Sequence, residues 1–248
     1  MRSLAGRSVI VTGGGSGIGR EIALAFARHG SRTAVIGRTE AKLSETCAAA
    51  AGLPGEVHSI VADVTDEASV DQAFGRVDQL FGGCEILVNS AGSFEGGGPV
   101  VDLPMSAWQQ VIDVNVTGMF LCAKQAFTRM IPAGGGRVIN IGSIAGRRPR
   151  LHSVAYSTSK FAVRGMTQAL AIEGREHSIA VSVINPGNTA VARRTDRSTT
   201  TGSYSSSEPE ISTEAIAETA LLMGQIEDGA NVFDATVLPI EQDYLGRG

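Results

Sequence analysis

The sequence predicts an α/β fold in which helices cover both faces of a doubly wound, parallel sheet of about seven strands. Short runs rich in β-branched residues alternate with longer segments of helical periodicity, which is the pattern of repeated βα units. The strand-like runs are almost continuously apolar, as strands buried on both faces are. No linker interrupts the 248 residues, so we expect a single domain over residues 1–248.

Each element follows from this alternation, taken along the chain. The predicted strands are 8–12, 32–36, 57–61, 86–89, 137–141, 180–184 and 232–238. The predicted helices are 17–29, 40–50, 66–81, 105–131, 153–176 and 212–224. The third helix shows the clearest amphipathic spacing, because Val70, Phe74, Val77 and Phe81 recur at three- and four-residue intervals.

One segment breaks the alternation. Residues 190–212 are polar and rich in Ser and Thr, and loops longer than about 15 residues inside a compact domain are usually functional lids or disordered segments. This segment follows the sixth strand, at the carboxyl edge of the sheet where open α/β folds bind ligands. We therefore expect a substrate lid, with a disordered segment as the alternative.

Composition excludes several classes of function. The net charge is −4 and no basic run exceeds two residues, which argues against nucleic acid and anionic membrane as partners. No apolar run is long enough for a transmembrane helix, and the first residues do not resemble a signal peptide. We expect a cytoplasmic protein. The widely spaced Cys47, Cys84 and Cys122 form no CxxC pair, so neither a metal site nor a disulfide framework is predicted.

A glycine-rich run joins the first strand to the first helix, and it reads Thr12-Gly-Gly-Gly-Ser-Gly-Ile-Gly19. Gly13 permits a tight turn, Gly17 lets backbone amides approach a pyrophosphate, and Gly19 permits close helix packing. The helix N-terminus offers free N–H groups and a positive dipole end to phosphates. No Gly-Lys-Ser/Thr follows, which excludes a Walker loop. The run predicts a Rossmann-type dinucleotide site, with a ligand-free turn as the alternative.

Four sequence features together resemble one family. The GxxxGxG spacing of 12–19, Asn89-Ser-Ala-Gly92, Ser143 and Tyr156-Ser-Thr-Ser-Lys160 occur in the order and spacing of the classical short-chain dehydrogenase/reductases. The resemblance spans residues 7 to about 190. It implies an oxidoreductase of carbonyls and alcohols on a Rossmann-type fold, with NAD(P)(H) as cofactor.

The resemblance also implies four catalytic residues. Tyr156 and Lys160 are four apart and share one helix face, and a nearby ammonium favours ionisation of a phenol whose ordinary pKa is about 10. In the family the tyrosine exchanges a proton with the substrate oxygen, and the lysine also holds the nicotinamide ribose. Ser143 would hydrogen-bond the same oxygen, and Asn115 would hold a water that relays protons to the lysine. Taken singly, buried Ser and Asn more often cap or bridge backbone groups.

A larger set of residues matches cofactor contacts of the family. Asp63 and Val64 bracket the adenine in that interpretation, and the turn at Pro186 meets the nicotinamide carboxamide. The full set is Gly13, Ser16, Gly17, Ile18, Gly19, Arg38, Asp63, Val64, Asn89, Ala91, Gly92, Tyr156, Lys160, Pro186, Gly187 and Thr189.

The sequence departs from the family at two places. A threonine commonly follows the glycine of the Pro-Gly turn by four residues, whereas Val191 stands there, so Thr189 is expected to contact the cofactor through its backbone. The chain ends ATVLPIEQDYLGRG rather than with a Val-Asp-Gly-Gly segment. The closing geometry and the subunit contacts that the family's usual C-terminal segment makes are therefore not predicted for this tail.

The end of the second strand bears on cofactor choice. The dinucleotide fingerprint expects a carboxylate there to hold the ribose 2′-hydroxyl, but Gly37 is followed by Arg38 and no carboxylate precedes Glu40. A guanidinium binds a phosphate in bidentate fashion. This favours NADP(H), while NAD(H) remains possible if Arg38 only stacks over the adenine.

The substrate is expected to be a small carbonyl compound or alcohol. Its pocket should come from 93–99, 144–152 and 188–212. Candidate lining residues are Phe94, Leu151, His152, Val154 and Tyr204, with Arg147, Arg148 and Arg150 close by. The arginines either receive an anionic substrate group or are solvated. A nucleotide-sensing binding protein without turnover is the alternative function, and the retained Ser-Tyr-Lys set argues against it.

Members of the family usually assemble by pairing their long fourth and fifth helices, which correspond to 105–131 and 153–176. We therefore expect a homotetramer or a dimer.

Overall fold

The computed structural model describes residues 1–191 and 208–245. Its seven strands are β1 Ser8–Thr12, β2 Arg32–Gly37, β3 Glu56–Val61, β4 Ile86–Asn89, β5 Gly136–Ile141, β6 Ile179–Pro186 and β7 Asp234–Val237. Its helices are α1 Gly17–Arg28, α2 Glu40–Ala49, α3 Glu67–Phe81, α4 Met105–Ile112, α5 Gly118–Ala133, α6 Val154–Gly174 and α7 Thr213–Gln225. All strand pairs are parallel and the order is β3-β2-β1-β4-β5-β6-β7. The predicted doubly wound fold is confirmed.

Two apolar layers form the core, one on each face of the sheet. Successive residues of a strand point to opposite faces, so Val9 and Val11 pack with α1, α2 and α7, whereas Ile10 packs with α3 and α5. The amphipathic face predicted for α3 is buried in the second of these layers. Burial of both sheet faces explains why the strand sequences are so continuously apolar.

The helix predicted over 105–131 is wrong in one respect, because it is not continuous. A single π-helical turn, Asp113–Thr117, separates α4 from α5. This turn contains one residue more than an α-helical turn. It carries the buried side chain of Asn115, which forms hydrogen bonds with the main chain of Ser93. Apolar periodicity continues through the segment, so the interruption leaves no mark in the hydrophobic pattern.

The strand order reverses between β1 and β4, which creates a crevice at their carboxyl ends. The Thr12 hydroxyl at the end of β1 accepts hydrogen bonds from the N–H groups of Ser90 and Ala91, each at 3.1 Å. These hydrogen bonds connect the two loops that line the crevice.

Among the described residues, no helix is long and apolar enough to cross a membrane.

Candidate active site

The glycine loop after β1 is shaped by steric contacts that only glycine satisfies. Gly13 has a φ of +68°, and a Cβ there would lie 2.8 Å from Ala91 Cα. A Cβ on Gly19 would lie 2.5 Å from the carbonyl oxygen of Gly13. The loop therefore packs tightly on both the β4 loop and its own helix.

The beginning of α1 presents backbone donors to this crevice. The helix starts at Gly17, which has a φ of +52°, and its first turn contains no acidic residue. Within the described part of the chain, the Ser16 side chain makes no capping hydrogen bond. The first N–H groups of an α-helix have no intrahelical acceptor, so those of Gly17, Ile18 and Gly19 form a donor set with a positive dipole end. Such a set fits the pyrophosphate of a dinucleotide.

A cavity of about 300 Å³ lies where the adenosine end of that dinucleotide is expected. Its lining includes the exposed Arg38 after β2, Thr65 and Val114. The Asp63 carboxylate accepts hydrogen bonds from the Thr65 N–H at 2.9 Å and the Thr65 hydroxyl at 2.8 Å, which fixes the turn after β3. Val64 is buried, and a Cβ on Gly118 would lie 2.8 Å from its side chain.

Tyr156 and Lys160 lie one helical turn apart near the start of α6. The Lys160 Nζ is 5.6 Å from the centroid of the Tyr156 ring and donates a 2.9 Å hydrogen bond to the carbonyl oxygen of Ile141. Lys160 is only 5% exposed. This burial disfavours the charged amine and lowers the pKa of Lys160 to about 8. Tyr156 is half-buried.

Ser143 lies just beyond the carboxyl end of β5, as predicted. Its hydroxyl accepts a 3.1 Å hydrogen bond from the Ala145 N–H and caps a short 3₁₀ turn, Ile144–Gly146. A Cβ on Gly146 would lie 2.6 Å from the Lys160 carbonyl oxygen, so this turn packs directly on α6. The sheet edge and the helix therefore hold Ser143, Tyr156 and Lys160 in one region.

Asn115 is fully buried and links three segments of the site. Its Oδ1 accepts from the Ser93 N–H at 2.7 Å, and its Nδ2 donates to the Ser93 carbonyl oxygen and the Ser159 hydroxyl, each at 2.9 Å. The Ser159 hydroxyl donates in turn to the Tyr156 carbonyl oxygen at 2.7 Å. Asn115 thus connects the β4 loop to the turn of α6 that carries Tyr156. The predicted water relay stays a prediction.

A second buried network underlies the crevice. The Asn89 Nδ2 donates to the Asn140 Oδ1 at 3.0 Å, and the Asn140 Nδ2 donates to the Thr167 hydroxyl at 2.9 Å. Among the described residues, the Asn89 Oδ1 has no hydrogen-bond partner. These contacts fix the ends of β4 and β5 to α6 below the predicted nicotinamide region.

The turn after β6 contains Pro186, Gly187 and Thr189, which were predicted to meet the nicotinamide. The Thr189 hydroxyl donates a 3.1 Å hydrogen bond to the Gly187 carbonyl oxygen, so this side chain is bonded within the turn itself. Thr189 also pairs with Ile211 in an isolated parallel bridge. Residues 192–207 of the predicted lid 190–212, with Tyr204, lie outside the described residues.

The substrate side of the crevice combines apolar surface with arginines that have internal partners. Phe94 stacks on Tyr156 with ring centroids 4.7 Å apart, and Leu151 is 72% exposed. Each of the three arginines has a partner within the chain: Arg147 pairs with Asp234, Arg148 donates to the Tyr244 carbonyl oxygen, and Arg150 pairs with Glu208. His152 has a φ of +60° and accepts, through its carbonyl oxygen, the Gly98 N–H at 3.1 Å. Val154 begins α6 and is exposed.

The described residues contain no group of three or more His, Cys, Asp or Glu side chains that could hold a metal ion. Burial raises the pKa of the Cys84 and Cys122 thiols.

Four further residues shape the site but were not named in the predicted catalytic or cofactor-binding sets, although Ser93 and Asn188 lie within the predicted pocket segments 93–99 and 188–212. Ser93 and Ser159 act through Asn115, while Asn188 and Gln242 shape the turn after β6. Ser159 stands inside the Tyr156–Lys160 motif, where its position offers a weak signal. Asn188 and Gln242 have partners that are distant in the sequence; the predicted pocket segment 188–212 pointed to Asn188, and the unusual C-terminal tail pointed to the region of Gln242.

Comparison with known proteins gives a consistent result. Residues 7–202 match the family described as short chain dehydrogenase. A short chain dehydrogenase/reductase of Aspergillus oryzae is 37% identical over 190 residues, which cover 76% of this chain and 73% of that protein.

Solved structures agree with the sequence match. A metagenomic short-chain oxidoreductase in complex with NADP has a TM-score of 0.83 at 29% identity, covering 96% of this chain and 98% of that one. An NAD⁺-bound xylitol dehydrogenase has a TM-score of 0.87 at 26% identity, with 95% and 99% covered. The chain belongs to the short-chain dehydrogenase/reductase family of oxidoreductases.

Proposed function

We propose that the protein transfers a hydride between a nicotinamide cofactor and a carbonyl or secondary alcohol, with Tyr156 as the general acid and base. One observation carries this proposal: the half-buried Tyr156 lies one turn from a buried Lys160 ammonium, 5.6 Å from its ring centroid, beside the Ser143 turn. The retained set of Ser143, Tyr156 and Lys160 favours this function over a nucleotide-sensing binding protein, which could use Lys160 to hold the ribose but would need no proton donor at a substrate oxygen.

The side chains divide the chemical work. When bound, the nicotinamide would supply or accept the hydride. The hydroxyls of Ser143 and Tyr156 would hydrogen-bond the substrate oxygen, and Tyr156 would give its proton to that oxygen during reduction or take it during oxidation. The Lys160 charge stabilises the phenolate that results. Asn115 would keep the Tyr156 turn and the β4 loop in fixed relation through its hydrogen bonds.

The cofactor would lie across the carboxyl ends of the strands. Its pyrophosphate would meet the N–H groups of 17–19, its ribose would meet Lys160, and its carboxamide would meet the backbone of Thr189. Arg38 supports NADP(H), because it is exposed beside the adenosine cavity and no carboxylate occupies the end of β2. NAD(H) remains the alternative.

We further propose a neutral substrate with an apolar or aromatic group beside its carbonyl. The Phe94 ring lies against Tyr156 and offers an apolar wall at the reacting atoms. The nearby Arg147, Arg148 and Arg150 are engaged with Asp234, Tyr244 and Glu208, which supports a site that does not select for an anion.

A carbonyl panel tests this function. The purified protein is mixed with NADPH or NADH and with ketones and aldehydes, and loss of cofactor absorbance is followed. Pairs such as acetophenone and 4-acetylbenzoate differ only in a carboxylate, and the neutral member should give the larger kcat/KM. A protein that reduces none of these carbonyls and oxidises no alcohol in the reverse direction would contradict the proposal.

A further inference from the structure

A side chain, rather than a neighbouring strand, accepts one backbone hydrogen bond from the turn after β6. The β6–β7 ladder ends where the Gly187 N–H donates to the Val237 carbonyl oxygen at 2.8 Å. The chain then turns, with the Gln242 N–H bonded to the Pro239 carbonyl oxygen at 3.0 Å. This reversal lets the Gln242 Oε1 accept a 2.9 Å hydrogen bond from the backbone N–H of Asn188. A side-chain amide thus continues the ladder by one bond.

The tail and the turn fit closely at Gly187. A Cβ on Gly187 would lie 2.3 Å from the Gln242 Oε1 and 2.9 Å from Leu238 Cδ2. Real Cβ atoms do not approach other atoms so closely, so any larger residue at 187 would displace the tail. The glycine of the Pro-Gly turn here makes room for the tail side chain.

Every polar group of Asn188 has a partner, although the residue is only 1% exposed. Its Oδ1 accepts from Arg150 at 2.9 Å, and its Nδ2 donates to Glu208 at 2.6 Å. Its carbonyl oxygen accepts from the Ile211 N–H at 2.9 Å. Its own N–H is the group that Gln242 satisfies. Removal of that acceptor would leave a buried donor without a partner, which strongly disfavours this conformation of the turn.

The tail is also anchored independently of Gln242. Tyr244 is buried, its carbonyl oxygen accepts from the Arg148 guanidinium at 2.8 Å, and that guanidinium lies 5.4 Å from the Tyr244 ring centroid. Loss of the Gln242 amide therefore need not release the tail.

We propose that Gln242 is a positioning residue, which fixes the turn 186–189 in the conformation that receives the nicotinamide half of the cofactor. This inference rests on the proposed function, since Thr189 follows Asn188 directly and is the residue whose backbone would meet the carboxamide. The unusual C-terminal segment thus contributes to the cofactor site rather than only ending the chain.

Three variants test the role of the Gln242 oxygen. Gln242→Met removes the acceptor and retains a side chain of similar length, whereas Gln242→Glu retains an acceptor oxygen. Glu241→Gln changes the exposed neighbour and serves as the control. Calorimetry measures the Kd of NADP⁺ and of adenosine 2′,5′-bisphosphate, which carries the adenosine half alone. NAD⁺ and ADP replace this pair if the wild type prefers NAD⁺.

Gln242→Met should weaken dinucleotide binding about tenfold and change binding of the adenosine half by less than about twofold. Gln242→Glu should recover most of the loss, and Glu241→Gln should match the wild type. Without any cofactor, hydrogen exchange of the Asn188 amide should be faster in Gln242→Met than in the wild type.

An equal loss for both ligands together with a lower Tm would overturn the inference, because Gln242 would then only support the fold. Unchanged dinucleotide binding by Gln242→Met would overturn it as well and leave the proposed function intact. A wild type that binds neither dinucleotide would contradict the proposed function itself, and the inference would fail with it.

Discussion

Lys160 is a charged group in a place where folded proteins usually bury apolar atoms. Its amine donates to the Ile141 carbonyl oxygen, and burial lowers its pKa from 10.5 to about 8. Near pH 7 the ammonium is still charged, so the fold bears the free-energy cost of its burial. We attribute this cost to the proposed reaction, in which the charge stabilises a Tyr156 phenolate.

Lys160→Met should therefore raise the free energy of unfolding at pH 7 by roughly 1–2 kcal/mol, since it removes a buried charge but also leaves one carbonyl oxygen unbonded. Between pH 8 and 10.5 the unfolded wild type binds more protons than the folded form, so wild-type stability rises with pH there. The advantage of the variant should shrink across that window. Urea unfolding at several pH values measures it.

The exposed Lys124, which pairs with Glu67, provides the matched control for this experiment. Lys124→Met should leave the free energy of unfolding nearly unchanged, because exposed ion pairs contribute little to stability. A Lys160→Met protein that is much less stable than the wild type at pH 7 would contradict this interpretation of its burial.

Arg38 is the residue on which the choice of cofactor depends. If it binds the 2′-phosphate, Arg38→Ala should weaken NADPH binding about tenfold and leave NADH binding nearly unchanged. Arg76→Ala removes the same charge from an exposed site on α3 and serves as the control. Fluorescence titration of both cofactors measures the effect. The NADP(H) assignment is wrong if the wild type binds NADH at least as tightly, or if Arg38→Ala leaves the preference unchanged.

At the scale of elements, the π turn Asp113–Thr117 shows where sequence-based prediction stops. The strands and most helices could be predicted because their periodicity records which face is buried. The π turn could not be predicted, since the hydrogen bonds that accompany it join Asn115 to Ser93, 22 residues apart. The contact of Gln242 with Asn188 spans 54 residues and is likewise invisible to local patterns. The motif residues were predictable because they occur in short, fixed spacings.

The π turn should be energetically important as well as geometrically unusual. Asn115→Ala would leave both main-chain polar groups of Ser93 without the partners that they have in the wild type, at a buried site. We expect a loss of roughly 2–4 kcal/mol in the free energy of unfolding. Thr117→Ala, at an exposed position of the same turn, should cost far less. Equal, small effects of the two substitutions in urea unfolding would show that the Asn115 bonds do not hold this element.

At the scale of the whole molecule, exposed apolar side chains lie on the two long helices. Phe120 on α5 and Val154, Phe161 and Ile172 on α6 are all exposed in the single chain. Family resemblance and this surface together lead us to propose a homotetramer or a dimer. Sedimentation velocity at micromolar concentration should show no monomer, and Phe161→Glu should shift the distribution toward monomer. Leu222→Glu, on α7, is the control. A wild-type monomer would refute this proposal.

The most direct test of the proposed chemistry replaces one hydroxyl. Tyr156→Phe retains the ring that stacks on Phe94 with centroids 4.7 Å apart, so folding and cofactor affinity should change little. Thr158→Ala, at an exposed position of the same helical turn, is the control. With the best carbonyl of the panel, Tyr156→Phe should lower kcat by about 10²–10⁴-fold while Thr158→Ala retains wild-type turnover. A Tyr156→Phe protein with near-normal kcat would contradict the assignment of Tyr156 as the general acid.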